Sequence, residues 1–365
     1  MSAQLPRPIW ARYLIAPPLM EARGPVCFSP RDWPPSNGCP PGAPVVDAVV
    51  MPALCNSHLH LLDSGLPEHG EDLELEQLVA QPTGLKYRLL RRLPRRRLVE
   101  ASSRALSLMK SRGAPVAAVY AEMGLDGAYM VAEAASEAGV RARILPQPAD
   151  PSSPSEAVLL AAEWGGLGLD TPLSMEHLPP LTGDIVVEVH VSEDQALNRL
   201  GDQLLAARHA PLVGVHMLNL SEGEVLELAR AGVYPVFCPR SNMFFTGSTP
   251  PVRSLVLLHE EMLPAGIGTD NAAWIPPRMD EEIQYAYTAA RAHTEPGLRA
   301  ALARAILYAA TIAGCGSMLG IRDEYTLVAR VPSISYSGDP VVTVVKRLSS
   351  ARIEFILRRG LKAYQ

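Results

Sequence analysis

The 365-residue sequence is short of lysine, phenylalanine and long apolar runs, and each shortage narrows what the chain can be. No stretch approaches the roughly 18 consecutive apolar residues that a membrane span needs. The opening MSAQLPRPIWARYLIAPP has no lysine or arginine cluster ahead of an apolar run, so a secretory leader is not expected either, and the reading is a cytoplasmic protein. Cysteine occurs five times (Cys27, Cys39, Cys55, Cys238, Cys315) and never as CxxC. That pattern argues against a disulfide framework and against a thiolate zinc site, and it predicts reduced, packed thiols. Lysine appears only at Lys86, Lys110, Lys346 and Lys362, and the formal net charge is -5. Such a chain has no general attraction to nucleic acid or anionic lipid. The one basic cluster, Arg91, Arg92, Arg95, Arg96 and Arg97, is broken by Pro94, has no aromatics among it, and reads as a solvated helix end or turn.

What is present suits a large core, with 48% hydrophobic residues. At roughly 100 to 200 residues per domain the length fits two or three units, yet α/β barrels run past about 250 residues as one. From about residue 115 onward, short β-branched runs alternate with stretches of helical character. That is the pattern of βα units around a parallel sheet. Strands are expected at 45–60, 115–123, 141–148, 165–170, 184–192, 211–218, 233–242 and 264–270. Between them LVEASSRALSLMKSRG, GAYMVAEAASEAG, SEAVLLAAEWG, DQALNRLGDQLLAARH, SEGEVLELARAG and SLVLLHEEM read as helices, several opening on Ser, Asp or Gly and closing at Gly. The expected fold class is therefore α/β, a closed (β/α)8 TIM-like barrel over 45–323. Residues 1–44 and 324–365 hold short apolar pieces that read as strands joined by turns, and the two ends are expected to pair into a small composite, sandwich-like β domain.

Asn56-Ser57-His58-Leu59-His60 closes the first expected strand. Side chains at i and i+2 of a strand share a face, so both imidazoles can aim one way and share an ion. Taken alone, such a pair fits ordinary polar histidines equally well. His190 ends IVVEVH, His216 ends LVGVH and Asp270 ends AGIGTD, each at the C-terminal end of an expected strand. In α/β barrels that rim is where catalytic groups gather. A lone histidine or a GTD turn carries little; five ligand-type residues at the ends of strands one, five, six and eight carry more. His69, His177, His209, His259 and His293 show no such register and are expected to be structural or exposed.

These residues in this order resemble the amidohydrolase superfamily. Within it, VVMPALCNSHLHLLD, EVHVSED, GVHMLNLSEGE, CPRSN and GTDNAAW are similar to the branch that contains cytosine deaminase, adenosylhomocysteine deaminase and the triazine chlorohydrolases. ATIAGCGSMLG resembles the segment by which that branch leaves the barrel, so the likeness spans about 45–360. The resemblance implies a hydrolase of small molecules in which His58, His60, His190 and Asp270 hold one divalent ion, zinc first and iron second; homodimers are common among such relatives. It makes Glu193 the proton shuttle, although a glutamate there also suits the first turn of a helix. It has His216 orient or polarise the attacking water or the substrate. Asn242 and Trp274 become substrate contacts or loop structure, and Glu122, ending strand two, a substrate contact or a structural residue. Three imidazoles and one carboxylate leave the ion net positive, which lowers the pKa of its water from about 15.7 toward about 7. Asp270 then accepts a proton while Glu193, raised by a closed pocket, delivers one.

A second metal is not expected, because only Lys86 and Lys110 lie between His60 and His190 and neither ends a strand. A deaminase site of the HxE and PCxxC type is absent from the sequence. Ala53 stands where this branch carries glycine before HxH, the loops after strands one to four look short, and phenylalanine numbers five. Those departures favour deamination of a small heterocycle or related amine. Hydrolysis of a cyclic amide, as in imidazolonepropionase-like relatives, is the alternative reaction, and a non-catalytic binding or scaffold homologue the alternative class.

Overall fold

The structure, a computed structural model, describes residues 8–31, 38–175, 178–179, 181, 184–193, 211–322 and 324–358. Strands from the two ends of the chain share one sheet. β1 (Ile9–Ala16) lies between β2 (Glu21–Arg23) with β3 (Val26–Phe28) on one edge and β4 (Val45–Pro52) on the other. β15 (Thr326–Arg330) pairs antiparallel with β4 and with β16 (Arg352–Leu357), giving a six-stranded sheet in the order β16-β15-β4-β1-β2. The run expected as one strand over 45–60 is thus divided: Val45–Pro52 belongs to this sheet, and only Cys55–Asn56 and Leu59–His60 join the parallel strands. The run VVTVV, expected as strand, is instead helix over Pro340–Arg347. Asp339 caps it by accepting from the Val341 and Val342 amides, Pro340 takes the first turn, and Val341, Val344 and Val345 bury one face. Cap and helical spacing outweigh β-branching here.

The other strands are parallel and fall in two groups. β5 (Cys55–Asn56), β6 (Leu59–His60), β7 (Val116–Ala121), β8 (Arg141–Pro146) and β14 (Asp270–Asn271) form one. β9 (Gly166–Leu169), β10 (Val186–Val191), β11 (Leu212–His216), β12 (Val233–Phe237) and β13 (Gly266–Ile267) form the other. Every expected strand from 115 onward is present, with helices over Arg95–Ser111, Gly124–Ala138, Pro154–Trp164, Glu222–Arg230 and Ser254–Glu260 between them. The SEGE string works as anticipated: Ser221 and Glu224 form a reciprocal capping box. The helix expected over 194–209 lies outside the described residues.

The two groups meet at one seam, where Ser57 N donates to Ile267 O and Thr269 N to His58 O. At the other seam, between β8 and β9, no ladder forms, so the closed ring expected from the sequence is not closed by hydrogen bonds. Arg143 occupies that seam, donating its guanidinium to the Gly165 carbonyl. Gly166 packs so close that a Cβ on it would stand 2.7 Å from Ile144 O. Side chains from both groups nevertheless share one core: Val116, Ala118 and Leu145 meet Val213, Val215 and Val236. Their strand neighbours Ala117, Val119, Leu212 and Phe237 face the covering helices in a separate cluster. Period-2 alternation therefore fixes an inward face, and the same parity carries Tyr120 and Glu122 on or beyond β7, and Glu188 and His190 on β10, to that face.

The connection from His60 to Val116 is long rather than short. It holds the helical turn Leu62–Gly65 and helices Leu75–Val79, Leu85–Leu90 and Arg95–Ser111, with the arginine cluster exposed around the break at Pro94. The cysteines also differ from expectation, since Cys27–Cys39 and Cys55–Cys315 are disulfides and Cys238 is a free buried thiol. Partners 12 and 260 residues apart follow no motif that a sequence spacing could reveal. Among the described residues no helix is long and apolar enough to cross a membrane.

Candidate metal centre

At the C-terminal ends of the parallel strands, the inward rows turn from apolar to ionisable. His58 and His60 come from β6 and its approach, His190 from β10 and Asp270 from β14, while His216 ends β11 out of the parity of Val213 and Val215, at a positive φ of 75°. His58 Nε2 is 3.3 Å, and His60 Nε2 3.5 Å, from Asp270 Oδ1. His60 Nε2 and His190 Nε2 face each other at 3.3 Å. His58, His190 and His216 offer atoms within 4.8 Å of one another, as do His58, His60 and Asp270, and Glu193, His216 and Asp270. The rings of His58, His60 and His190 pack around Tyr120, with centroids 4.7 to 6.1 Å from its ring. The rim backbone is strained where it carries these groups: φ is positive at Ser192 (48°), His216 (75°), Met217 (52°) and Asp270 (65°). Non-glycine residues hold such angles where the surroundings over-determine them, commonly at functional sites.

Each inner ring is held from behind by a carboxylate. His58 Nδ1 lies 2.8 Å from Glu188 Oε1, and both residues are fully buried. His60 Nδ1 lies 2.5 Å from Glu122 Oε1, and Lys86 Nζ stands 2.7 Å from the same oxygen and 3.0 Å from Asp63 Oδ2. A carboxylate on Nδ1 fixes that nitrogen as the donor and turns the Nε2 lone pair to the centre, the arrangement that metal-ligating histidines use. Asp270 is steadied in turn, because Ser241 Oγ donates to its Oδ2 at 2.5 Å. Asn242 Nδ2 lies 3.2 Å from His216 Nδ1, and His216 Nε2 points to Glu193 Oε1 at 3.6 Å.

Charges here depart from their ordinary values. Burial works against charging His58, but the Glu188 carboxylate and the bond to Asp270 prevail and raise it to about 10. Burial, with the Lys86 ammonium beside it, lowers His60 to about 4. Burial and the neighbouring imidazoles hold His190 well below the usual range. Asp270 resists its burial through the His58 hydrogen bond and the imidazole charges, which hold its carboxyl well below the usual range. Burial pushes the Glu193 carboxyl up, His216 opposing. The donor set fits a divalent cation: Asp270 Oδ1 stands 3.3 Å from His58 Nε2 and 3.5 Å from His60 Nε2, and His60 and His190 turn nitrogen toward nitrogen. Such buried groups require a partner, and imidazole with carboxylate suits zinc or iron.

The structure brings together His58, His60, His190, His216, Glu193 and Asp270 as the sequence anticipates. Glu122 contacts His60 and Lys86. Asn242 holds the His216 ring, and Trp274 stacks edge-on against Phe245 at 5.5 Å with its indole nitrogen buried and unpartnered. Of the five histidines set aside, His177 and His209 lie outside the described residues. His259 bonds the Pro18 carbonyl, and His69 that of Pro67. Sequence reasoning missed Glu188, Asp63, Ser241 and the role of Lys86. Glu188 did leave a signal, a carboxylate two residues before His190 on the inward face of an otherwise apolar strand.

No family model matches the sequence. A putative aminohydrolase of Methanothermobacter thermautotrophicus is 27% identical over 336 residues, 86% of either chain. A 5-methylthioadenosine/S-adenosylhomocysteine deaminase of Moorella thermoacetica is 25% identical over 282 residues, 66% of this chain and 62% of that one. An adenosine deaminase of Xanthomonas campestris, solved with bound zinc, shares the fold with a TM-score of 0.65 at 18% identity, over 96% of this chain and 91% of that one. With histidine and aspartate gathered at its strand ends, the chain is similar over most of its length to proteins named aminohydrolase and shares the fold of a zinc-bound adenosine deaminase.

Proposed function

We propose that the chain is a single-metal hydrolase acting on carbon–nitrogen bonds, and that it deaminates a small amino-heterocycle or related amine. We assign His58, His60, His190 and Asp270 as ligands of one divalent ion, zinc before iron, and Glu193 and His216 as the groups that act on substrate. The two groups of parallel strands are taken as a (β/α)8 barrel, with the terminal strands as a small β unit beside it.

One observation carries the reading: the Nε2 atoms of buried His60 and half-buried His190 stand 3.3 Å apart, with Asp270 Oδ1 3.3 Å from His58 Nε2. Lone pairs so turned toward one another repel unless a cation or a proton lies between them. A divalent ion there supplies Lewis-acid chemistry, bringing the pKa of a water from about 15.7 toward about 7. Asp270 would hold the ion and take up the proton of a water attacking an sp² carbon, and Ser241 keeps its other oxygen engaged. Burial raises the Glu193 carboxyl and so favours its protonated form, which suits it to pass a proton to the ring nitrogen and then relay one to the departing amine. With the Asn242 amide nitrogen donating to Nδ1, His216 holds its own proton on Nε2, facing Glu193 and the substrate. The naming of relatives as aminohydrolases and a deaminase supports loss of ammonia as the reaction.

The test joins metal analysis of the purified protein with ammonia release across a panel of amino-heterocycles. The reading expects one zinc or iron per chain, and ammonia from at least one compound in step with metal content. A metal-free, chelator-insensitive protein, or turnover without ammonia, refutes it.

A further inference from the structure

Behind His60 lies a second cluster with the chemistry of a cation site. His60, Asp63 and Glu122 offer ligand atoms within 4.8 Å of one another, and all three are buried. Their elements converge there because His60 ends β6, Asp63 follows on the turn Leu62–Gly65, and Glu122 follows β7. Asp63 Oδ1 and Glu122 Oε2 have atoms fully buried and no hydrogen-bond partner. At the centre stands not an ion but the Lys86 ammonium, 2.7 Å from Glu122 Oε1, 3.0 Å from Asp63 Oδ2 and 3.1 Å from His60 Nδ1. Lys86 is itself only 3% exposed and is delivered by helix Leu85–Leu90, with the Tyr87 ring 5.6 Å away.

We infer that Lys86 is a resident cation seated in a second metal-binding position, and that removing its side chain opens Asp63 and Glu122, beside the His60 ring, to a second divalent ion. Two buried carboxylates facing a single positive charge remain short of full compensation, and a divalent ion matches them better than an ammonium. The N···O spacings of 2.7 and 3.0 Å need contract by about 0.1 to 1.0 Å to reach the roughly 2.0 to 2.6 Å of metal–oxygen bonds. In the native chain the lysine occupies this position permanently. It keeps the adjoining centre to one ion and presses Glu122 onto His60, so Lys86 acts as a positioning residue through its neighbours. The inference draws on the reading of the first centre as single-metal, and the measurement below separates the two.

Wild type, Lys86→Ala, Lys86→Arg and the double variant Lys86→Ala/Asp63→Asn are loaded with Mn²⁺ and dialysed, the ions counted by mass spectrometry, and melting temperature followed against added Mn²⁺. The inference expects Lys86→Ala to hold one ion more per chain than wild type. Lys86→Arg and the double variant should hold no more than wild type. The melting temperature of Lys86→Ala should climb with Mn²⁺ over a range in which the double variant's does not. A Lys86→Ala chain that folds only with Mn²⁺ supports the same conclusion. Folded Lys86→Ala with the wild-type ion count overturns it, as does a variant that stays unfolded in millimolar Mn²⁺. Wild type without any ion would sink the reading of the first centre alone, since an ion gained by Lys86→Ala still reports the second position.

Discussion

Glu188→Gln tests how far the centre depends on groups that never touch an ion. Glutamine keeps the volume of glutamate, so the buried packing around position 188 is preserved and the change is confined to charge and hydrogen bonding. Glu188 Oε1 is the partner of His58 Nδ1, at 2.8 Å inside a fully buried pair. Its carboxylate makes Nδ1 the donor and enriches the Nε2 lone pair. Glutamine accepts more weakly, and rotated it offers an amide N–H that competes for the wrong tautomer. Loss of such a partner typically weakens metal binding by about 10- to 100-fold. At about 1.4 kcal/mol per tenfold, this amounts to about 1.4 to 2.8 kcal/mol of binding free energy. A chelator competition for Zn²⁺ at fixed pH reads it directly, with circular dichroism as the check on fold. A dissociation constant within about threefold of wild type, in a folded Glu188→Gln protein, would show that His58 needs no carboxylate behind it.

Glu193→Gln should lower turnover by about 10²- to 10⁴-fold, as expected of a lost general acid, while zinc content stays at the wild-type level; parallel loss of zinc would remove Glu193 from the proton-transfer role. In the ion-free protein, His58 is raised from 6.5 to about 10, so its contribution to stability is complete below pH 6.5 and fades as pH rises toward 10. Denaturant midpoints of chelator-treated protein should fall across that window, and a rise would contradict the assignment of Glu188 and Asp270 as its partners. Asp339→Ala, which removes the cap on the Val341 and Val342 amides, should cost about 1 kcal/mol by thermal melting and leave zinc affinity alone.

The parts of this molecule legible in its sequence are those written in local periodicity. V-E-V-H on β10 and H-L-H beside β6 announce an inward face that changes from apolar to ionisable at the strand end, and the structure keeps that parity. Strand pairing has no such local record. β4 meets β15 across some 280 residues, so the 45–60 run could not be divided between two sheets on pattern alone. Pro340–Arg347 shows the converse, a β-branched run made helical by one aspartate placed before it. The carboxylates behind the histidines separate along the same line. Glu188 shares a strand and a parity with His190, and so could have been found. Asp63 and Lys86 come from short helices in the 61–115 connection, where neither a period of 2 nor a long amphipathic stripe fixes direction. Four scarce lysines made Lys86 conspicuous in the sequence. It does not end a strand. Its ammonium instead lies where a cation belongs, and only the convergence of three separate elements around it could reveal that.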